Sequence, residues 1–408
     1  MAETIETVII GGGQAGLSLS YELKQAGREH VVLEKAARAG EAWRNQRWDS
    51  FTLVTPNWSF VLPGAEFHRQ NPHGFMPRAE IVRSFEQYAA GQRLPVRYNT
   101  TARSVQPRES GGYSVEIDET VLHARNVVVA TGLFQREKVP AFASQIPAGV
   151  AQVHCAAYRN PGVLPPGAVL VVGSGQSGCQ IAEELQQAGR KVYLATGFAP
   201  PAPRRYRGRD IYEWADLSGF LNRTADMLPS PAARFGSNPL LTGKDGGHSL
   251  DLHQFYRAGM VLLGHLRGFE DGCFFFAADL KENLAKGDRA RENLINLVDG
   301  YIARNGIDAP PEVLEIPRDA YQAPDILTLD PVEAGIGAVV WAGGFNFDYS
   351  MVKLPVTDDY GFPVTNRGKT RFPGLYFIGM PWLITQRSGL LLGVAEIAAY
   401  QAEQITAS

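Results

Sequence analysis

One pattern of glycines occurs twice in this chain, 162 residues apart. In the first copy the run Thr7–Ile10 leads into GGGQAG (Gly11–Gly16), and in the second Ala168–Val172 leads into GSGQSG (Gly173–Gly178). Apolar residues at helical spacing follow both copies and stop at a glycine in the same register. Agreement in strand, turn, helix length and stop signal predicts a duplicated strand–turn–helix unit.

The GxGxxG spacing within each copy meets a specific physical demand. The first glycine makes a tight turn, the second lets the backbone approach a pyrophosphate, and the third lets the helix pack closely on the strand. The helix N-terminus then presents free N–H groups to the anion. The pattern therefore predicts two bound dinucleotides. The residues expected to contact them are Gly11, Gly13, Gln14, Ala15 and Gly16 in the first unit and Gly173, Gly175, Gln176, Ser177 and Gly178 in the second.

The residue that ends the second strand of each unit indicates which dinucleotide it binds. Glu34, followed by Lys35, stands where a carboxylate bonds ribose hydroxyls. The same position in the second unit is Thr196, with no acid nearby, which removes repulsion against a ribose 2′-phosphate. The sequence thus favours FAD on the first unit and NADPH on the second. Three arginines follow, either as phosphate ligands or as a solvated basic loop: Arg204, Arg205 and Arg207.

We expect an α/β protein with two Rossmann-like dinucleotide-binding domains of the glutathione-reductase-like type, the NADPH domain being inserted in the FAD domain. A Pro- and Gly-rich connector before the second unit marks the first crossing, and a strand-like run at 338–344 marks the return. These signals give an FAD domain of residues 1–163 and 331–408 and an NADPH domain of residues 164–330.

Part of the second domain is more elaborate than a dinucleotide fold requires. Residues 204–280 are rich in Pro, Gly and aromatics and include a helical pattern at Leu252–Leu266. This segment is expected to be a lid or substrate wall over the flavin. A structural or oligomer surface is an equally good interpretation. A helix is predicted at residues 388–405.

Composition excludes several classes of protein. A net charge of -3 cannot supply the field that sequence-independent nucleic-acid binding needs. No apolar run is long enough to span a membrane, and Glu3 and Glu6 replace the basic start of an export signal, so a cytoplasmic protein is expected. The three cysteines are far apart and include no CxxC pair, which argues against a metal site or a redox disulfide.

The motifs together resemble those of the class B flavoprotein monooxygenases. Besides the two glycine turns, the resemblance rests on Gly40-Glu41-Ala42-Trp43-Arg44, Met76-Pro77-Arg78-Ala79-Glu80-Ile81, Ala130-Thr131-Gly132 and Gly374-Leu375-Tyr376-Phe377-Ile378-Gly379. It implies an enzyme that uses FAD, NADPH and O₂ on a small-molecule substrate. By analogy Trp43 and Arg44 lie against the flavin, and further cofactor contacts come from Ala130, Thr131, Gly132 and Gly379.

The resemblance also implies roles for two polar residues. Members of the family carry FxGxxxHxxx[YFW] before the second glycine turn; His154 and Tyr158 fit its spacing, although Ala148 and Val150 replace the Phe and Gly. His154 is therefore expected to orient the nicotinamide, unless it only bonds at the domain hinge. Asn57 is expected to bond the oxygenated flavin, or else belongs to an ordinary Pro-Asn turn.

The implied reaction is the insertion of one oxygen atom of O₂ into nitrogen, sulfur or a carbonyl compound through a C4a-(hydro)peroxyflavin. The weakened histidine motif leaves one main alternative open, an NADPH dehydrogenase or oxidase that passes electrons to a quinone, a partner protein or O₂. A regulatory flavoprotein and a disulfide reductase are less favoured, the latter because it needs a cysteine pair. A homodimer is the default oligomer.

Overall fold

The computed structural model describes residues 3–65, 71–118 and 120–407. Its α-helices are α1 (Gln14–Gln25), α2 (Glu41–Asn45), α3 (Arg78–Gly91), α4 (Gln176–Gln187), α5 (Ile211–Leu217), α6 (Leu252–Arg257), α7 (Leu280–Asn305) and α8 (Val394–Thr406). Its strands are β1 (Glu3–Ile10), β2 (His30–Leu33), β3 (Val96–Arg97), β4 (Ala102–Pro107), β5 (Tyr113–Ile117), β6 (Thr120–Val129), β7 (Arg136–Glu137), β8 (Ala151–His154), β9 (Ala168–Val172), β10 (Val192–Ala195), β11 (Arg205–Tyr206), β12 (Arg209–Asp210), β13 (Leu241–Thr242), β14 (His248–Ser249), β15 (Val261–Leu263), β16 (Leu266–Glu270), β17 (Cys273–Phe276), β18 (Thr328–Leu329), β19 (Ile336–Trp341), β20 (Phe345–Asn346) and β21 (Leu375–Phe377).

The first sheet is built around the first glycine unit and has the strand order β3-β2-β1-β6-β5-β4. β1 pairs in parallel with β2 and β6, and the end of β6 pairs in parallel with β21. The start of β6 pairs instead with β5 in an antiparallel hairpin. Because helix α8 follows β21 and packs on α1, the C-terminal segment completes this first domain.

The second sheet is fully parallel, with the order β15-β10-β9-β19-β8. It therefore includes β8 and β19, which lie outside the range 164–330 expected for the second domain. Strand pairing moves the two chain crossings to positions before Ala151 and after Trp341. The run at 338–344 resembles 127–132 because each belongs to the strand that pairs with the first strand of its unit, on the side away from the second strand. The chain has not yet returned to the first sheet at this point.

The predicted fold class of two Rossmann-like domains is confirmed, and the duplication is closely preserved in space. The same shift of 162 residues that superposes the glycines also carries α1 onto α4 and β2 onto β10, end for end. Each strand of these pairs is buried, as both faces of a parallel sheet are covered by helices. The repeat seen in the sequence is therefore a repeat of the whole βαβ entry.

Two sequence expectations at the level of elements need correction, and one helix was missed. The helical pattern at Leu252–Leu266 splits into the short helix α6 and the edge strand β15, since Val261–Leu263 pairs in parallel with β10. The C-terminal helix begins at Val394 and not at 388, after a one-turn helix at Gln386–Gly389. Helix α7, with 26 residues, was not anticipated at all.

None of the helices in the described ranges is long and apolar enough to cross a lipid bilayer.

Candidate active site

The first glycine turn brings the chain so close to itself that larger residues cannot fit. Gly11 has φ +112°, and a Cβ there would lie 2.6 Å from the carbonyl oxygen of Ala130. A Cβ on Gly16 would lie 2.0 Å from the Gly11 carbonyl oxygen, inside van der Waals contact. Gly13 has open space at its Cβ position and caps α1 without a side-chain bond. The N–H groups at the start of α1 are thus left for a ligand, as a pyrophosphate site requires.

Glu34 is held in place by the turn it serves. Its carboxylate accepts hydrogen bonds from the backbone N–H of Gly12 at 2.7 Å and from that of Ala36 at 2.8 Å, one on each oxygen. Each oxygen retains a second lone pair for a ribose hydroxyl. The carboxylate is therefore oriented before any ligand arrives, which fits its predicted role.

The second glycine turn repeats the first almost atom for atom. Gly173 has φ +109°, and its Cβ position lies 2.6 Å from the carbonyl oxygen of Ala342, which takes the place of Ala130. A Cβ on Gly178 would lie 1.8 Å from the Gly173 carbonyl oxygen. Gly175 caps α4 without a side-chain bond. The second unit can therefore also receive a pyrophosphate, and the predicted pair of dinucleotide turns is present.

The glutamine after each turn holds a covering segment and does not face a ligand. The side chain of Gln14 donates to the carbonyl oxygens of Val61 at 3.1 Å and Leu391 at 2.8 Å. The amide of Gln176 donates to the carbonyl oxygens of Leu241 and, through the same nitrogen, to Gln180 Oε1. Since both amides are engaged, only the backbone N–H groups of these two residues are directed toward a phosphate.

The residues predicted to hold the 2′-phosphate are mostly engaged elsewhere. Thr196 is fully buried and donates its hydroxyl to the carbonyl oxygen of Leu263 at 2.7 Å. Arg204 is buried in an ion pair with Asp210 at 2.5 Å and donates to the carbonyl oxygen of Val54 at 2.7 Å. Neither side chain can reach a nucleotide, because burial and internal partners fix both. Arg205 is exposed, and its Nη2 donates to the carbonyl of residue 246 at 3.3 Å.

His265 lies next to the end of β10, where Thr196 and the arginines were expected to bind the 2′-phosphate. A Cβ on Gly197, just after β10, would lie 2.9 Å from His265 Nε2, and His265 Nδ1 lies 2.6 Å from Asp279 Oδ2. Although desolvation opposes the change, hydrogen bonds from His265 keep the pKa of Asp279 below its usual value. The parallel pairing of β15 with β10 brings His265 to this edge. Sequence reasoning missed it because β15 was interpreted as helix.

A cavity of about 430 Å³ runs from the first glycine turn past Glu34 to Trp43. Its walls contain most of the residues predicted for the first unit, including the first two glycines of the motif, the Glu34 carboxylate and the loop after β6, whereas Gly16 is not among them. Sequence analysis did not single out the aromatic and polar wall on the far side. The predicted residues in the walls are Gly11, Gly13, Gln14, Ala15, Glu34, Lys35, Trp43, Ala130, Thr131, Gly132 and Gly379, and the additional ones include Gln46, Phe134, Gln135 and Asp348.

Arg44 does not line this cavity. Its guanidinium lies 2.8 Å from Glu86 Oε1 and 3.2 Å from Glu41 Oε2, and it donates to the carbonyl oxygen of Ala39 at 3.0 Å. These contacts fasten α2 to α3. The structure thus gives Arg44 a bracing role in place of the predicted flavin contact.

Asn57 does not line the cavity either. Its Nδ2 donates to the carbonyl oxygen of Asn71 at 2.9 Å, and its Oδ1 accepts from the backbone N–H of Met76 at 2.6 Å. Both ends of the amide are used to hold a neighbouring loop, and the residue is buried. The interpretation as a structural Pro-Asn turn fits the geometry, and the predicted bond to oxygenated flavin does not.

His154 is a buried hinge residue at the end of β8. Its Nδ1 accepts from the backbone N–H of Ala156 at 3.2 Å, so the proton lies on Nε2, which donates to the carbonyl of residue 344 at 3.1 Å. Its ring meets that of Phe345 edge to face at 4.9 Å. The side chain is 1% exposed and cannot touch a nicotinamide. His154 positions the loop after β19, which itself overlies the second glycine turn.

The elaborated segment reaches over to the C-terminal loop of the first domain. The guanidinium of Arg387 lies 3.2 Å from Asp216 Oδ1, and Gln386 N–H donates to the carbonyl oxygen of Arg223 at 2.9 Å. The same loop continues to Gly389, which lines the cavity beside the first glycine turn. This placement agrees with a lid or wall beside the site.

Thiol chemistry has little support in this arrangement. The thiols of Cys155, Cys179 and Cys273 are all free. Burial raises the pKa of Cys155 to about 11 and also raises that of Cys179. No group of three or more potential His, Cys, Asp or Glu metal ligands occurs in the part of the chain that the structure describes.

Two matched dinucleotide turns, one with a carboxylate for ribose, define a two-domain dinucleotide-dependent oxidoreductase. Residues 8–205 match the family model described as pyridine nucleotide-disulphide oxidoreductase. Over 403 residues the chain is 32% identical to an uncharacterized CzcO-like oxidoreductase of Geobacillus kaustophilus, with 98% of each chain covered. It is 27% identical over 217 residues to a probable indole-3-pyruvate monooxygenase of Arabidopsis thaliana, covering 50% of this chain and 49% of the plant protein.

The fold is also that of a solved enzyme. A flavin-containing monooxygenase from Stenotrophomonas maltophilia superposes with a TM-score of 0.68 at 22% identity, covering 99% of both chains. The chain belongs to the family of CzcO-like oxidoreductases, and the predicted relation to the class B flavoprotein monooxygenases is confirmed. The protein is accordingly an oxidoreductase of a flavoprotein family.

Proposed function

We propose that this protein is an FAD-dependent, NADPH-driven monooxygenase that transfers one oxygen atom of O₂ to nitrogen, sulfur or a carbonyl group of a small organic substrate. The observation that carries the proposal is the asymmetry of two otherwise matched turns. Only the first places an oriented carboxylate, Glu34, at the ribose position, whereas the second has the buried Thr196 there. One site therefore suits a resident flavin dinucleotide and the other a different dinucleotide that delivers hydride.

The first site fits FAD by its geometry. The cradle formed by Gly11 and Gly16 leaves no room for a Cβ, and α1 offers its free N–H groups to the pyrophosphate. Glu34 would bond the adenosine ribose, and Trp43 would lie against the rest of the cofactor. Bound FAD would supply hydride acceptance and oxygen activation, which side chains cannot.

The chain's own part in the reaction is positioning and the exclusion of water. His154, through its bond to the loop after β19, keeps that loop over the second turn. The segment around Asp216 and Arg223 holds the C-terminal loop beside the cavity. An enclosed site strengthens electrostatic contacts and protects reactive species from hydrolysis. No dedicated proton donor is required for transfer of oxygen to a soft nucleophile.

The decisive experiment follows the flavin after reduction. The purified yellow protein is reduced anaerobically with NADPH, mixed with O₂ in a stopped-flow spectrometer and assayed for ¹⁸O transfer from ¹⁸O₂ to candidate amines, sulfides and ketones. A long-lived absorbing species followed by labelled product is the expected result. Prompt return to oxidised FAD with one H₂O₂ per NADPH, and no labelled product from any class, would contradict the proposal.

One observation favours a second candidate, an FAD-dependent NADPH dehydrogenase or oxidase. Asn57 is turned into its own loop and lies outside the flavin cavity, so it cannot stabilise oxygen bound to the flavin. Such an enzyme would reduce quinones or O₂ with NADPH at rates that do not depend on any oxygen-accepting substrate. Stoichiometric quinone reduction under anaerobic conditions distinguishes it from the monooxygenase.

The preference for NADPH over NADH is a separate part of the proposal. Thr196 and Arg204 cannot bind the 2′-phosphate, so we assign that contact to the exposed Arg205 and to the imidazole of His265 at the end of β15. Flavin reduction should be slower with NADH at equal concentration. Equal efficiency of the two nucleotides would contradict this part and leave the oxygenation chemistry untouched.

A further inference from the structure

Arg47 is a cation without an acidic partner, placed where the two domains meet. Its guanidinium carbon lies 5.2 Å from the ring centre of Trp43, 5.7 Å from that of Phe51 and 5.1 Å from that of Phe134. Among residues 3–65, 71–118 and 120–407 it forms no ion pair, and the hydrogen bond it donates goes to the adjacent carbonyl oxygen of Gln46 at 2.7 Å. A guanidinium has five N–H donors, so most of them remain available.

Two arginines close to Arg47, in contrast, each have an acidic partner. Arg44 is paired with Glu86 at 2.8 Å, and Arg78 with Asp49 at 3.0 Å. Burial lowers the pKa of Arg47 to about 10, because protein replaces the hydration of its charge and no acid compensates. The group still carries its charge at neutral pH. A partly buried charge that is left uncompensated in this way gains from the arrival of an anion.

Arg47 lies beside the chain that leads into the second dinucleotide turn. The Arg47 carbonyl oxygen accepts from Arg159 Nη1 at 3.4 Å, in the chain that follows β8 of the second sheet. The Cys155 thiol lies in the electrostatic field of Arg47 and is hydrogen-bonded with the side chain of Ser177. Ser177 belongs to the first turn of α4, whose N–H groups are left free by the Gly175 cap. The segment 47–50 therefore lies beside α4, since Ser50 Oγ also donates to Glu184 Oε1 of that helix at 2.5 Å.

Resting on the proposed binding of a nicotinamide dinucleotide at α4, we propose that Arg47 of the first domain binds the pyrophosphate of that nucleotide. The helix N-terminus contributes N–H groups and a partial positive charge. Arg47 contributes a full charge and a planar pair of donors that matches phosphate oxygens. The three aromatic rings restrict the guanidinium before binding, so little side-chain freedom is lost.

A nucleotide held this way is bound by both domains at once. Its phosphates would rest on α4 of the second domain and on Arg47, which extends from the segment beside Trp43 in the flavin cavity wall. Occupancy of the second site would then hold the cleft closed over the first. Release of the oxidised nucleotide would require this contact to break, which suits an enzyme that must keep its site closed after hydride transfer.

The test uses the FAD-loaded protein and two ligands that differ in the pyrophosphate. ADP-ribose contains the pyrophosphate without the nicotinamide, and adenosine 2′-monophosphate lacks the pyrophosphate. Arg47→Gln should weaken ADP-ribose and NADP⁺ about ten- to hundredfold, as expected for loss of charge-assisted hydrogen bonds. Arg47→Lys should recover part of this loss, and neither variant should change the affinity for adenosine 2′-monophosphate. Arg103→Gln, at an exposed site of the first domain, is the matched control.

The outcomes separate this inference from the function it rests on. Unchanged ADP-ribose binding in Arg47→Gln, with normal FAD content and melting temperature, overturns the inference; a raised substrate KM in that variant would assign Arg47 to a substrate anion instead. Failure of the wild-type protein to bind ADP-ribose or NADP⁺ would remove the proposed function as well. If Arg47→Gln does not retain FAD, the comparison of Arg47→Lys with the wild type decides.

Discussion

At the scale of single residues, glycines and long polar side chains differ in how well sequence predicts them. Gly11 and Gly173 could be placed because a GxGxxG turn imposes its own backbone geometry, and both have a left-handed φ as required. Asn57, Arg44 and Arg204 could not be placed, since the direction of a flexible side chain depends on which loop or acid lies nearby in space. The motif places such a residue near the site but does not fix its partner.

Glu34 gives the first testable consequence at this scale. In Glu34→Gln one carboxylate oxygen becomes an NH₂ group that faces the N–H of Gly12 or Ala36, leaving a donor unsatisfied and the ribose without its charged acceptor. We expect FAD affinity to fall by about 1.5–3 kcal/mol, the usual value for a hydrogen bond to a charged group. Flavin titration of the apoprotein measures this. Glu29→Gln, at the exposed position just before β2, should bind FAD normally.

Thiol reactivity is a second consequence for individual residues. Because burial raises the pKa of Cys155 to about 11, its reactive thiolate is scarce at pH 8, and Cys179 is shifted in the same direction. A thiol reagent such as DTNB should therefore modify only the partly exposed Cys273 in the native protein and all three cysteines in urea. Rapid native modification of Cys155 with loss of NADPH oxidation would revive a thiol-based mechanism.

At the scale of elements, the sequence predicted the strands and helices of the two glycine units better than the elements of the segment 204–280. The 162-residue repeat fixed β2 and β10 as well as α1 and α4, because a duplicated unit must satisfy the same packing twice. β15 was interpreted as helix because a three-residue apolar run has no periodicity of its own, and only its partner β10 determines its conformation.

The duplication allows a reciprocal experiment on the two turns. Gly16→Ala places a Cβ 2.0 Å from the Gly11 carbonyl oxygen, and Gly178→Ala places one 1.8 Å from that of Gly173. Each turn must then open, at a cost of about 1–3 kcal/mol of folding free energy and the loss of its pyrophosphate site. Gly16→Ala should purify without flavin. Gly178→Ala should purify yellow, be reduced by dithionite and show at least a tenfold higher KM for NADPH.

Colour and NADPH reduction together decide the assignment of the two sites. If Gly178→Ala lost its flavin while Gly16→Ala kept it, the two dinucleotides would have to be exchanged between the units. Gly91→Ala near the end of α3, where a Cβ meets open space, is the control for substitution of a glycine in itself.

At the scale of the whole molecule, polar contacts next to Arg47 join the two domains beside the apolar cluster that they share. Asp49 Oδ2 accepts a hydrogen bond from Asn160 Nδ2 at 2.6 Å, and the backbone N–H of Asp49 donates to the carbonyl oxygen of Arg159 at 2.8 Å. Ser50 Oγ donates to Glu184 Oε1 on α4 at 2.5 Å. Partly exposed contacts of this kind contribute about 0–1 kcal/mol each, so their loss alone should leave both domains folded.

Weakening these contacts should reduce the coupling of NADPH oxidation to substrate oxygenation more than it reduces the stability of the protein. In the double variant Asp49→Ala/Ser50→Ala we expect FAD content to stay normal and the melting temperature to fall by only a few degrees, roughly 1–2 kcal/mol. H₂O₂ released per NADPH oxidised should rise severalfold, because a looser cleft admits water and frees the nucleotide early. Asp118→Ala, on the surface hairpin of the first domain, should leave the ratio unchanged. If the double variant matched the wild type in peroxide yield, closure of the cleft would depend on the nucleotide and Arg47 alone, and these protein contacts would serve only to orient α4.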